Sequence, residues 1–114
     1  MDEIWKEIPG FLGYEVSNQG KVRSYWRQIL LPRNGCKIIL DKSPQKILCP
    51  GINYGYPFVF LCKNGKHFIK KVHRLVLTVF VGPCPIGMEA CHNDGARNNN
   101  YLENLRWDTR SNNH

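Results

Sequence analysis

The feature that most constrains the fold is a pair of apolar segments joined through Asn64-Gly65. Residues 58–62 and 67–71 lie on either side of a short polar connection that has this dipeptide at its centre. Asn-Gly suits the two positive-φ positions of a type I′ turn, which reverses the chain between paired strands. The sequence therefore predicts an antiparallel β-hairpin over residues 58–71.

An earlier hairpin is predicted around residues 18–20, a polar linker that ends in glycine. Side chains alternate along a strand, so we expect Val22, Ser24 and Trp26 to face one way and basic side chains to face the other. From about residue 28 to residue 53, short apolar pieces are interrupted by proline and glycine, which indicates short strands and loops.

One short helix is predicted over residues 72–80. The run is also rich in β-branched residues, which leaves a strand as the alternative, and a Gly-Pro-rich stretch ends it. A length of 114 residues corresponds to one domain and excludes a large Rossmann or barrel enzyme. The predicted class is α+β, with a small antiparallel β-sheet and hairpins in the N-terminal two thirds. The helical face is formed by Val72, Leu75, Val76, Val79 and Phe80.

Positive charge is concentrated in the middle of the chain. The net charge is +7, yet residues 16–88 alone hold twelve Lys or Arg against the single acid Asp41. Such a distribution favours a polyanionic partner, most simply nucleic acid, and the alternative is a solvated basic face that serves solubility. The residues that we expect to contact phosphates are Lys21, Arg23, Arg27, Lys63, Lys66, Lys70 and Lys71.

The cysteines and the N-terminus bear on metal content and location. The five cysteines lie at least seven residues apart, so no Cys-x2-Cys knuckle exists and no zinc finger is predicted. An odd cysteine count favours reduced, mostly buried thiols. No apolar run approaches the roughly 20 residues of a membrane helix, and no secretory signal is recognisable, so we expect a cytoplasmic protein without a membrane partner.

The last part of the chain is unusually rich in asparagine, with seven in residues 91–114. Clustered Asn side chains often brace loops, because each one both donates and accepts hydrogen bonds. Bracing alone does not account for the ordered spacing of His92, Asn104 and Asn113, in which twelve residues separate the first pair and nine the second.

That spacing, with Asp94-Gly95 and residues 104–107 around it, resembles the HNH nuclease family and its ββα-metal core. Residues 5–24 resemble the modular element that precedes this core in phage and intron-encoded homing endonucleases. The resemblance implies a basic, β-rich DNA-binding region at 1–71 and an HNH core at 72–114, joined in one compact unit. It also implies action in a bacterial or phage-infected host cell.

The resemblance further implies a metal-dependent DNA endonuclease that hydrolyses phosphodiester bonds. His92 matches the general base, Asn104 the residue that holds the loop and orients that base, and Asn113 a metal ligand. An amide oxygen ligand suits a divalent ion, Mg²⁺ first. Close homing enzymes carry a metal-binding aspartate before the base, where this chain has Cys91.

Cys91 leaves two alternatives. As a ligand it would favour Mn²⁺ or another softer ion, and as a buried residue it would leave its ligand position to water. Asp94 could supply a carboxylate, although Asp-Gly at a turn favours a structural role. The alternative function is a non-catalytic DNA-binding module derived from an HNH nuclease. The sequence marks no self-complementary surface, so both a monomer and a homodimer stay open.

Overall fold

The computed structural model describes residues 2–33 and 35–110, which form eleven short strands, one α-helix and one 3₁₀ helix. The strands are β1 (Trp5–Glu7), β2 (Tyr14–Ser17), β3 (Val22–Ser24), β4 (Trp26–Leu31), β5 (Gly35–Leu40), β6 (Lys46–Ile47), β7 (Gly51–Asn53), β8 (Tyr56–Lys63), β9 (Lys66–Lys71), β10 (Met88–His92) and β11 (Leu105–Thr109). The helices are α1 (Val72–Phe80) and the 3₁₀ helix Leu102–Asn104.

The first sheet has the order β1-β2-β3-β6 and contains the earlier of the two predicted hairpins. Val22 and Ser24 are buried on its inner face, as the alternation predicts. The prediction that Trp26 continues the same strand is wrong, because Trp26 begins β4, which pairs with β5 instead. The Trp26 N–H is bonded to the Ser24 hydroxyl at 3.1 Å, and this local turn takes the chain out of the first sheet.

The second predicted hairpin is confirmed and forms part of the sheet β7-β8-β9. Asn64 and Gly65 have φ of 53° and 77°, the left-handed pair that a type I′ turn requires. Residues 28–53 form short strands and loops, as expected, and include the hairpin β4–β5. Six antiparallel residue pairs join β4 to β5.

Helix α1 covers the predicted residues 72–80, so the strand alternative is wrong. The helix begins directly after β9 and buries Val72, Val76 and Leu77. Among the described residues, α1 is the only α-helix. With nine residues it is far too short to cross a membrane.

One hydrophobic core serves both ends of the chain. Val16 and Val22 of the first sheet cluster with Leu61 of β8, Val76 of α1 and Leu105 of β11. The sequence regions on both sides of residue 71 therefore pack as one structure, with antiparallel sheets and a helix that agree with the α+β class. The last part of the predicted ββα core, residues 111–114, lies outside the described residues.

A tight contact joins the turn after β2 to the loop that precedes β11. Gly20 has φ of 82°, and a Cβ built there would lie 2.8 Å from the Asn100 carbonyl oxygen. The Leu102 N–H donates to the Asn18 carbonyl at 2.8 Å beside it. Glycine is therefore required at residue 20 by both conformation and space.

Gly20→Ala should destabilise the fold more than Gly65→Ala. Both glycines have positive φ, which costs a Cβ-bearing residue about 1–2 kcal/mol. Only Gly20 also meets a backbone neighbour, and such overpacking adds roughly 1–3 kcal/mol. Urea unfolding of the two variants measures the difference, and equal losses would contradict the close approach.

Candidate active site

The site is built on the hairpin β10–β11. His92 is the last residue of β10 and pairs with Leu105 at the start of β11. Residues 93–104 form the loop between the two strands and end in the 3₁₀ helix. A half-buried imidazole thus lies where the strand meets a polar, asparagine-rich loop.

The Asp94 carboxylate organises this loop. Its Oδ1 accepts hydrogen bonds from the Ala96 N–H at 2.8 Å and from Asn104 Nδ2 at 2.9 Å. Its Oδ2 accepts one from Asn99 Nδ2 at 2.8 Å. Both oxygens are occupied within the loop, which favours the structural role for Asp94 over a metal-binding one.

The same contacts set the acidity of Asp94. Hydrogen bonds from Asn99, from the Ala96 N–H and from Asn104 stabilise the carboxylate and lower the pKa of Asp94 to about 2. The loop is consequently held by a charged group at every pH above this value.

Asn104 ties the two ends of the loop together. Its Nδ2 also donates to the Asn99 carbonyl at 2.9 Å, and its Oδ1 accepts from the Asp94 N–H at 3.2 Å. Its carbonyl accepts from the Asn93 N–H at 2.7 Å, directly after His92. Asn104 therefore has the contacts that a loop-holding residue needs, and its role in orienting His92 stays a prediction.

The residue in direct contact with the His92 ring edge is Asn100, which sequence analysis did not single out. His92 Nε2 lies 2.7 Å from Asn100 Oδ1, and Asn100 is 5% exposed. The asparagine cluster was the available signal, but nothing in the sequence distinguishes this Asn from its neighbours.

Two further rings border His92. The His73 ring of α1 stacks on it with centroids 4.9 Å apart, and Tyr56 of β8 stacks on His73 at 5.2 Å. At the start of the apolar stripe and next to Arg74, His73 is expected from the sequence to be a satisfied helix-end residue or a packing residue rather than a second base. It is indeed buried at 4% exposure, but its Nδ1 has no hydrogen-bond partner among the described residues.

Cations flank the outer side of this cluster. Arg97 Cζ and Lys71 Nζ lie 4.8 and 5.3 Å from the Tyr56 ring centre. Arg97 Nη1 also donates to the Tyr54 carbonyl at 2.6 Å, which fixes the guanidinium beside the ring. Sequence analysis names Lys71 but not Arg97 for this side of the molecule.

Of the two predicted metal ligands, Cys91 is a poor fit for Mg²⁺. It is 1% exposed, its Sγ contacts the Glu89 carbonyl at 3.5 Å, and burial raises the pKa of its thiol. Asn113 lies outside the described residues. Among residues 2–33 and 35–110, no group of three or more His, Cys, Asp and Glu is arranged to hold a metal ion.

The predicted phosphate contacts fall into two groups. Arg23 pairs with Glu15 at 2.6 Å and Arg27 with Asp41 at 2.5 Å, so their charges are partly compensated. The other five carry no ion pair among the described residues. They are Lys21 after the first turn and Lys63, Lys66, Lys70 and Lys71 on the hairpin β8–β9.

Fold and site together define a small basic α+β protein that presents an imidazole at the end of a β-hairpin. Two family models match it, the NUMOD4 motif over residues 3–62 and the HNH endonuclease over residues 70–114. The chain carries a NUMOD4 motif over more than half of its length, and the segment that follows it belongs to the HNH endonuclease family.

Known relatives agree with this assignment. DNA endonuclease I-HmuI of Bacillus phage SP01 is 36% identical over 106 residues, covering 92% of this chain and 52% of that protein. The uncharacterized HNH endonuclease L245 of Acanthamoeba polyphaga mimivirus is 31% identical over 103 residues, covering 90% of this chain and 26% of that protein. The chain thus spans about half the length of I-HmuI and less of the viral protein.

A solved structure is also similar. It describes DNA binding and cleavage by the HNH homing endonuclease I-HmuI, and it matches 95% of this chain and 53% of that chain with a TM-score of 0.72. The sequences are 34% identical over the match. The arrangement of the strands is therefore that of an HNH homing endonuclease.

In the Asp94→Asn variant, the thermal stability of the fold should depend less on acidic pH than in the wild type. A folded-state pKa of about 2, below the ordinary 3.8, stabilises the protein above pH 3.8. This stabilisation is lost as the pH falls from about 4 through 2. Thermal unfolding between pH 5 and pH 2 should show a steeper decline for the wild type than for the variant, and parallel declines would contradict the role of the carboxylate.

Proposed function

We propose that this chain is the cleaving part of a metal-dependent DNA endonuclease, in which His92 is the general base. The observation that carries the proposal is the hydrogen bond between His92 Nε2 and the buried Asn100 at 2.7 Å. It holds a half-buried imidazole in a basic chain whose relatives include a DNA endonuclease.

The hydrogen bond defines which nitrogen of His92 acts. Asn100 Oδ1 accepts, so Nε2 carries the proton in the neutral ring and Nδ1 keeps its lone pair. Nδ1 makes no hydrogen bond within the described part of the chain. It is therefore the atom that we assign to take a proton from the attacking water, a role that proteins most often give to histidine.

The loop supports this geometry. Asn104 and Asp94 hold the chain immediately after His92 through their mutual hydrogen bonds at 2.9 and 3.2 Å. When the base is already aligned, a smaller part of the activation free energy is needed to bring it into position. We propose this supporting role for Asn104.

A divalent ion is the proposed cofactor, Mg²⁺ first and Mn²⁺ or a softer ion second. When bound, such an ion stabilises the phosphoryl charge and the leaving oxygen. Asn113 is the ligand that we propose. The Cys91 thiol, which is buried and whose pKa is raised by that burial, does not fit as a second ligand beside Asn113.

The DNA partner is proposed from charge and family. Lys63, Lys66, Lys70 and Lys71 lie along the hairpin β8–β9, whose second strand leads directly into α1 and His73. A phosphate bound at Lys71, which lies against the Tyr56 ring at the α1 end of this hairpin, would thus lie close to His92. Lys21, Arg23 and Arg27 extend the basic surface, the two arginines with less net charge because of their acidic partners.

The His92→Ala variant should lose cleavage of supercoiled plasmid. Removal of a general base costs typically 10²- to 10⁴-fold in rate. Conversion to nicked or linear product is followed on gels with Mg²⁺, Mn²⁺ or EDTA, and we expect none in EDTA. Binding of the same DNA by the variant, measured by gel retardation, serves as the control for folding.

Cleavage that survives in His92→Ala would contradict the assignment of the base. DNA retardation without cleavage in any metal would instead favour the non-catalytic binding module, an outcome to which the buried Cys91 points. Cys91→Asp then tests whether a carboxylate at this position restores activity.

Lys66→Gln should reduce the salt dependence of DNA binding. Each phosphate that is neutralised adds about 0.9 to the magnitude of the log–log slope of affinity against salt. Loss of one contact should lower the slope by about that amount, as titrations between low and physiological salt will show. Lys6→Gln, outside the predicted set, is the matched control and should leave the slope unchanged. Equal effects of the two changes would argue against contact through the hairpin β8–β9.

A further inference from the structure

His73 is a buried polar side chain without an evident structural use. It lies in the first turn of α1, is 4% exposed, and its Nδ1 is the one fully buried side-chain nitrogen or oxygen without a hydrogen-bond partner among the described residues. An unsatisfied buried group costs about 1–3 kcal/mol, which a leucine or phenylalanine at this position would avoid. Stability alone therefore does not account for a histidine here.

The contacts of His73 are with rings. Its ring stacks on His92 with centroids 4.9 Å apart and planes 27° apart. The His73 and Tyr56 ring centroids are 5.2 Å apart, and the planes of these two rings differ by 18°. Tyr56 and His92 are themselves 6.1 Å apart, so the three rings form one cluster with His73 in contact with both others.

The two sides of His92 are held in different ways. The hydrogen bond to Asn100 fixes the position of Nε2 but still permits the ring to turn about that atom. A flat ring packed on its face removes this rotation. Together the two contacts define the direction in which Nδ1 points.

His73 can pack there because it is uncharged. Burial, followed by the positive charges of His92, Lys71 and Arg74, lowers the pKa of His73 to about 4. Near neutral pH the His73 ring is uncharged. It therefore does not repel a positive charge that His92 gains.

We propose that His73 is a positioning residue that, with Tyr56, sets the ring plane of His92. The proposal rests on the proposed function of His92 as general base. In this proposal His73 contacts neither the attacking water nor the phosphate. It acts only by orienting the ring of His92.

The first test measures plasmid nicking rates over a range of DNA concentrations for His73→Ala, His73→Phe and Val76→Ala. A misplaced catalytic group costs up to about 10²-fold, so we expect His73→Ala to lower kcat roughly ten- to hundredfold while KM for DNA changes by less than about twofold. His73→Phe should recover most of the rate, because it keeps a ring against His92. Val76→Ala removes buried volume from the same helix but keeps all three rings, and it should lower Tm but not kcat.

The second test is independent of cleavage. Ring stacking shifts the imidazole C–H resonances of His92, and we expect NMR spectra to show that shift in the wild type and in His73→Phe but not in His73→Ala. Full activity of a folded His73→Ala, a loss confined to KM, or an unchanged His92 resonance would each overturn the proposal. A wild type that does not cleave would overturn the proposed function, and the NMR comparison would then still decide whether His73 sets the ring of His92.

Discussion

Burial of helix α1 between the two ends of the chain is the interaction on which the rest of the structure depends. Val76 packs with Val16 of the first sheet and with Leu105 of β11, so one helix face stabilises both regions. The same placement brings His73 of its first turn under His92 at the end of β10. The core and the candidate site thus share one element, and a change in the helix position would move the rings as well.

The loop that follows His92 is held by different forces. Residues 93–104 offer few apolar side chains to bury, and hydrogen bonds to the Asp94 carboxylate take the place of a core. Its contact with the first sheet is equally close, since Gly20 leaves no room for a side chain against Asn100. The NUMOD4 segment therefore contacts Asn100, the hydrogen-bond partner of the proposed base, and this contact connects the two family segments physically.

Local features were predictable because their causes lie within a few residues. Asn64-Gly65 adopts positive φ wherever two strands flank it, and the stripe from Val72 to Phe80 forms a helix because its apolar spacing matches the helical period. Trp26 was misassigned because the Ser24 hydroxyl bends the chain, a choice that alternation of side chains does not reveal. His92 was recognised through its spacing to other polar residues, not through any property of the ring.

The antiparallel hairpins, the short helix, the basic middle of the chain and the resemblance to HNH nucleases follow from the sequence, since each depends on neighbours in the chain or on the order of a few residues. The packing of the folded chain selects Asn100 as the hydrogen-bond partner of His92, pairs Arg23 and Arg27 with acids, and brings Tyr56 and His73 next to the imidazole. These contacts join residues eight or more positions apart in the chain, and Asn100 is one of several asparagines in the same loop. Their selection depends on how the sheets pack around helix α1, which no local pattern specifies.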